Sequence, residues 1–132
     1  MQLINDELLN ELTVRAKAST RLRASFDLRT TSEDHSQRIL NALEPGTIVP
    51  IHRHTKSTET VVLLRGKVRQ LIFSEEGVME ESFIIEAHSS EQGYIIPVGQ
   101  WHTTECLESG TILFESKDGV YEPLSEEDIM MK

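Results

Sequence analysis

The sequence predicts an all-β domain, an antiparallel sandwich or barrel preceded by one helix. Three observations carry that reading. Short strand-like runs recur at close intervals from about residue 20 onward, turn residues separate them, and no helical pattern alternates with them. At 132 residues the chain suits one domain with a core of its own.

Asn5 or Asp6 caps a first helix, in which Leu8, Leu9, Leu12 and Ala16 recur at helical spacing. RLRASFDLRT alternates loosely, and QRILNALE offers Ile39, Leu40 and Leu43 before Pro45-Gly46 interrupts it. The runs TIVPIH, ETVVLL, KVRQLIF, VMEESFIIE, GYIIP and TILFES follow as strands. Arg65-Gly66, Glu75-Glu76-Gly77, Pro97-Val98-Gly99 and Lys117-Asp118-Gly119 supply the turns between them. Six glutamates between 74 and 91 read as the solvated hairpin of a sheet edge. Ser125-Glu126-Glu127-Asp128 opens a closing helix. The expected organisation is one domain over 1–132. It comprises a helical arm (1–19), a β-barrel (20–124) and a short C-terminal helix or tail (125–132).

Composition narrows the function. Apolar residues are 38% and charged residues 27%, a globular balance. The longest apolar runs are far too short to span a bilayer. The opening MQLINDELLNELT puts acids where a signal peptide needs cations and an apolar stretch, so a cytoplasmic location is expected. Cys106 is the single cysteine, which excludes an internal disulfide and a cysteine-based zinc site. The net charge of −9 is uneven: residues 39–132 carry seven Lys/Arg against sixteen Asp/Glu. An acidic body with 5% aromatics disfavours nucleic acid, which needs clustered cations and stacking surfaces. A small-molecule partner is expected.

The chemistry concentrates in residues 46–66, GTIVPIHRHTKSTETVVLLRG. On an extended strand His52 and His54 share one face and Arg53 takes the other. A chain reversal in the TKST loop brings Glu59 beside the two imidazoles. His102, after PVGQW, enters from a distant segment. Three neutral imidazoles and a carboxylate form a ligand set for one divalent transition metal ion (Zn, Fe, Ni, Mn or Cu), with one or two positions left for water or substrate.

These residues resemble the cupin superfamily. Gly46, His52, His54, Glu59 and Gly66 fit its first motif, G-x5-H-x-H-x4-E-x6-G, at every position. Pro97, Gly99 and His102 fit its second, P-x-G-x2-H. Two positions depart from the second pattern. Glu91 stands where cupins usually have a glycine, with Gly93 displaced towards the proline, and Cys106 stands where they often have asparagine. Neither position ligates metal in the family. The N-terminal helix, the stretch SEDHSQRILNALEPGTIVPIHRH and the acidic tail resemble the WbuC-family cupin-fold metalloproteins, associated with bacterial surface-polysaccharide biosynthesis. The resemblance implies a jelly-roll β-barrel, a bound divalent metal and a homodimer paired through edge strands.

Several further residues have competing readings. His35 is an exposed loop residue, or lines the pocket beneath an N-terminal arm and shuttles a proton. Arg38, with Arg21, Arg23 and Arg29, lies on the surface or meets a carboxylate or phosphate of the substrate. Gln70 shares a strand face with Val68 and Ile72, so it needs a partner if buried, and it is a candidate pocket residue. Asn41 and Tyr121 read as surface, Trp101 and Tyr94 as packing, and Cys106 as core. The expected function is a metal-dependent enzyme on a small molecule such as a sugar or sugar-nucleotide derivative, of isomerase/epimerase or oxygenase type. The alternative is a non-catalytic metal-dependent module that binds or senses a small ligand.

Overall fold

Asn5 begins the ordered architecture: its Oδ1 accepts a hydrogen bond from the Leu8 amide at 3.0 Å and so caps α1 (Asp6–Ala18). Asp6 and Glu7 in the first turn, and Arg15 and Lys17 in the last, complement the helix dipole. The computed structural model describes residues 1–130. Eight strands follow α1: β1 (Arg23–Asp27), β2 (Ser36–Leu43), β3 (Glu59–Arg65), β4 (Lys67–Phe73), β5 (Met79–Glu86), β6 (Gly93–Ile96), β7 (Trp101–Cys106) and β8 (Thr111–Asp118). A 3-10 turn at Glu126–Asp128 closes the chain. Among the described residues, no helix is long and apolar enough to cross a membrane.

The strands form two antiparallel sheets, one of five strands in the order β1-β2-β8-β3-β6 and one of three in the order β5-β4-β7. This is a β-sandwich with one helix. Where β2 and β8 lie under α1 the larger sheet is buried on both faces, which explains why β8 carries the consecutive apolar residues Ile112, Leu113 and Phe114. Outward, Leu40, Ala42 and Ile112 pack with Leu9, Leu12 and Ala16 of α1. Inward, Leu43, Val61, Leu63 and Leu113 meet Val68, Ile85 and Cys106 of the smaller sheet. The helix therefore covers the outside of the larger sheet, and the chain after it enters the sandwich through β1.

Along the inner faces the side chains change from apolar to polar. Two residues beyond Val61 on its strand stands Glu59, and beyond Leu113 stand Glu115 and Lys117, in register with Val61 and Glu59. On the smaller sheet the inner row runs from Cys106 through Thr104 to His102. One end of the sandwich is thus filled by hydrocarbon, and the other presents ionisable groups.

The structure departs from the sequence reading in two places. Thr47–His52 forms no strand. Pro50 has no N–H to give a ladder, and only His52 pairs, through isolated bridges to His102 and Ile129. The closing helix is a single 3-10 turn without a side-chain cap; the Ser125 hydroxyl donates instead to Asp128 Oδ2 at 3.0 Å. Residues 131–132 of the expected tail lie outside the described residues. Gly93 holds a place that only glycine fills, because a Cβ there would lie 3.2 Å from Val62 Cα and closer still to the Val61 carbonyl oxygen.

Leu12 is fully buried between α1 and the larger sheet. We expect Leu12→Ala to lower the unfolding free energy by about 2–5 kcal/mol, read from denaturant midpoints. A loss below about 0.5 kcal/mol, the range of an ordinary surface change, would show that the helix contributes little to the core.

Candidate metal centre

Two backbone hydrogen bonds build the site. The His52 amide donates to the His102 carbonyl at 3.0 Å, and the His102 amide donates back to His52 at 2.9 Å. This exchange ties the irregular segment 47–54 to β7. The C-terminal segment braces the same stretch: Arg53 N donates to the Asp128 carbonyl at 3.0 Å, and Met130 N to the Ile51 carbonyl at 2.8 Å. Arg53 points away from the histidines. Its Nε meets Asp128 Oδ1 at 2.9 Å, and its guanidinium lies 4.7 Å from the centre of the Trp101 ring. The alternation expected of a strand therefore holds at 52–54 without a strand.

His52, His54 and His102 converge. One ring nitrogen of each lies within 4.8 Å of the others, and the ring centroids are 4.3–5.6 Å apart. The orientation of two rings is fixed from behind. His52 Nδ1 is 2.8 Å from the Pro50 carbonyl oxygen and His102 Nδ1 is 2.8 Å from that of Gln100. A carbonyl can only accept, so both Nδ1 atoms carry the proton and both Nε2 lone pairs are free. The Nε2 atoms of His54 and His102 are buried with no hydrogen-bond partner. Glu59, at the start of β3, places Oε2 3.2 Å from His54 Nε2 and Oε1 3.9 Å from His102 Nε2. Close approach without hydrogen-bond alignment is the geometry of donors that face a shared point. A divalent cation fits this set: imidazole and carboxylate donors, the Nδ1 protons of His52 and His102 directed outward, and buried Nε2 atoms on His54 and His102 with no aligned hydrogen bond.

The electrostatics favour the ligand-competent forms. Burial and the neighbouring His102 push His52 down from 6.5 to about 4, against the Pro50 carbonyl and Glu59. Burial also lowers His102. Both imidazoles are neutral at pH 7. Burial alone would raise Glu59, but His54, Lys117 and His102 hold it well below the usual carboxylate range, so it is an anion. Lys117 Nζ lies 3.3 Å from Glu59 Oε2. Glu115 behaves oppositely: burial, then the charge of Glu59, pushes it up, while Lys117 and an Asn41 hydrogen bond resist. Asn41 Nδ2 donates to Glu115 Oε2 at 2.6 Å.

The three histidines, Glu59, Asn41, Thr104, Glu115 and Lys117 all border one open cavity of about 900 Å³. Arg38 borders it too, tied to Asp34 Oδ2 at 3.2 Å and to the Leu28 carbonyl at 3.3 Å. His35 stays exposed and outside the cavity wall. Gln70 is fully buried one layer below the cavity. Its Oε1 accepts from the Thr104 hydroxyl at 2.6 Å, and its Nε2 has no partner. Cys106 faces inward but packs in the apolar end. Tyr121, read as surface, is exposed yet lines the cavity rim beside Arg29. Glu115, Lys117 and Thr104 were not singled out in the sequence. The signal was present in TILFESKD, where alternate positions 113, 115 and 117 place two charged residues on a leucine's face.

The family model described as Domain of unknown function (DUF6016) matches residues 4–85. No curated protein matches the sequence significantly. Among solved structures, the chain is similar to an oxalate oxidase in complex with the substrate analogue glycolate, with TM-score 0.62, 17% identity, and 79% of this chain and 54% of that one covered. It is similar to the Schizosaccharomyces pombe Cnp3 cupin domain, with TM-score 0.59, 12% identity, and 74% and 64% covered. It is also similar to the capsular polysaccharide assembling protein CapF from Staphylococcus aureus, with TM-score 0.61, 20% identity, and 80% and 28% covered. The chain spans about half the length of the oxalate oxidase. At these identities the likeness is one of fold.

The depressed His52 pKa carries a stability consequence. Between pH 6.5 and about 4 the unfolded chain binds a proton at His52 that the folded chain refuses, so the metal-free protein loses stability as pH falls through that window. We expect roughly 1–3 kcal/mol from this residue. Denaturant unfolding at pH 7 and pH 4.5 should show a steeper loss for the wild type than for His52→Gln, and equal losses would contradict the assignment.

Proposed function

The chain belongs to the family described as Domain of unknown function (DUF6016) and has the cupin fold, and we propose that it holds one divalent transition metal ion through His52, His54, Glu59 and His102 and acts on a small molecule in the adjoining cavity. The observation that carries this reading is the pair of buried, unpartnered Nε2 atoms aimed at the same point as Glu59. Leaving a buried polar atom unsatisfied costs about 1–3 kcal/mol, a cost that a cation would remove.

A bound ion supplies a Lewis acid for a carbonyl or paired hydroxyls, or redox chemistry with dioxygen if it is iron. The chain's own groups supply the rest. Lys117 keeps Glu59 ionised and limits the negative charge next to the histidines. Glu115, raised by burial and by Glu59, can hold a proton at its carboxyl at neutral pH and release it to a substrate oxygen or carbon. Asn41 fixes the orientation of that carboxyl. Thr104, anchored by Gln70, offers a hydroxyl at the cavity wall. A proton-holding carboxyl beside a Lewis-acid site suits isomerisation or epimerisation better than oxygenation, and we place that class first. We take the substrate to be a sugar or sugar-nucleotide derivative, in surface-polysaccharide biosynthesis as for the WbuC-family resemblance. The likeness to the polysaccharide assembling protein CapF supports that direction.

Within this reading, residues 1–132 form one domain (arm 1–19, body 20–124, tail 125–132), the sandwich closes as a jelly-roll barrel around the site, and the protein works in the cytoplasm as a homodimer. Exposed Val78, Met79, Phe83 and Ile84 on and before the edge strand β5 support self-association.

Turnover of a sugar-nucleotide panel, followed before and after chelation, tests the enzyme reading. We expect product from at least one member, lost on complete metal removal and restored on reloading. Activity indifferent to metal removal would contradict it, and saturable uptake without product would instead favour a non-catalytic binding or sensing module.

A further inference from the structure

Seven of the chain's 13 Lys/Arg residues border the cavity, although the protein as a whole carries a net charge of −9. Five of the seven, Arg29, Arg38, Arg53, Lys56 and Lys117, are each ion-paired to a carboxylate. Arg21 and Arg23 are different. Among the described residues, neither guanidinium has a hydrogen-bond or ion-pair partner, and the two lie close enough to repel one another. Arg23 is also partly buried on the inner side of β1. Burial, then Arg21, disfavours its charged form, and the only compensating attraction is from Glu115. A protein with surplus carboxylates has left two neighbouring cations without an ion-pair partner on the wall of this cavity.

The backbone between them is built for this placement. Leu22 adopts φ +57°, a left-handed conformation costly for a branched side chain. Leu22 N donates to the Ser19 carbonyl, Glu44 N donates to the Leu22 carbonyl, and the Thr47 hydroxyl donates to the Arg21 carbonyl at 2.7 Å. Gly46 leaves room for the Leu22 side chain, because a Cβ at 46 would sit 3.1 Å from Leu22 Cδ1. The strained residue is therefore held from three sides, and it fixes where Arg21 and Arg23 leave the chain.

We propose that Arg21 and Arg23 form an anion-binding subsite of the cavity, which receives a carboxylate or phosphate carried by a hydroxylated small molecule whose oxygens reach the histidine cluster. Two guanidinium groups present planar, directional donors suited to the paired oxygens of such an anion. The bound anion would also neutralise the mutual repulsion of the two arginines. A cavity of about 900 Å³ accommodates a molecule large enough to engage both ends. The subsite deepens the proposed function and rests on it only for what the far end of the ligand contacts.

Calorimetric titration of the metal-loaded protein with gluconate, glucose 6-phosphate and glucose separates the carboxylate, phosphate and neutral cases. We expect at least one anion to bind about tenfold or more tighter than glucose. The Arg21→Gln/Arg23→Gln double variant should lose that preference while keeping its metal content and melting temperature. Arg21→Lys/Arg23→Lys, which keeps the charge without the planar fork, should fall between the two. Anions that bind no better than glucose, or a double variant that binds them as the wild type does, would overturn the proposal. Metal content is read separately on each sample, so a protein that takes up no metal yet binds the anion would refute the metal reading and leave the subsite standing.

Discussion

The reciprocal hydrogen bonds between the backbones of His52 and His102 are the constraint on which the rest depends. They join a segment that cannot form a strand to one that does. Without them, two histidines from the loop and a third from β7 would have no reason to share a point in space. The Pro50 and Gln100 carbonyls then set the ring orientations, and Arg53, clamped by Asp128 and Trp101, holds the back of the loop. The result is costly in one respect: the Nε2 atoms of His54 and His102 are buried with no hydrogen-bond partner. In a structure whose net stability is only of the order of 5–15 kcal/mol, such atoms are costly unless a ligand satisfies them.

The sandwich makes this arrangement affordable by dividing its interior. Leu43, Val61, Leu63, Leu113, Val68, Ile85 and Cys106 fill one end, and α1 buries a second cluster on the outside of the larger sheet. Stability therefore comes from two apolar clusters that include none of the histidines. The same strands then carry Glu59, Glu115 and Lys117 towards the open end. Rigid strands position these charges better than loops would, and a dry floor strengthens every interaction above it.

Much of this was legible in the sequence, for physical reasons. The period of two in strands made the inner rows readable, and the histidine spacing survived because alternation needs only extended backbone, not a ladder. The cap could be narrowed to Asn5 or Asp6 because capping is a local interaction, and the structure uses Asn5. The misread stretch, Thr47–His52, looked like a strand because β-branched residues favour extended backbone; Pro50 and the pull of the C-terminal segment decided otherwise. Pairings between distant residues were not readable. Nothing local says that α1 covers the outer face, that Asp128 anchors Arg53, or that Asn41 meets Glu115 across 74 positions. The arginines at 21 and 23 could be named as cations, but their lack of partners emerges only once the other cations that line the cavity are seen to be paired.

The most direct measurement is elemental analysis of protein purified without chelators, comparing the wild type with His52→Ala/His54→Ala. Two of the imidazoles supply half of the ligand set, and metal affinity depends steeply on ligand number. The account predicts about one equivalent of transition metal per wild-type chain and less than about a tenth in the folded double variant. Equal metal content in the two proteins would contradict it.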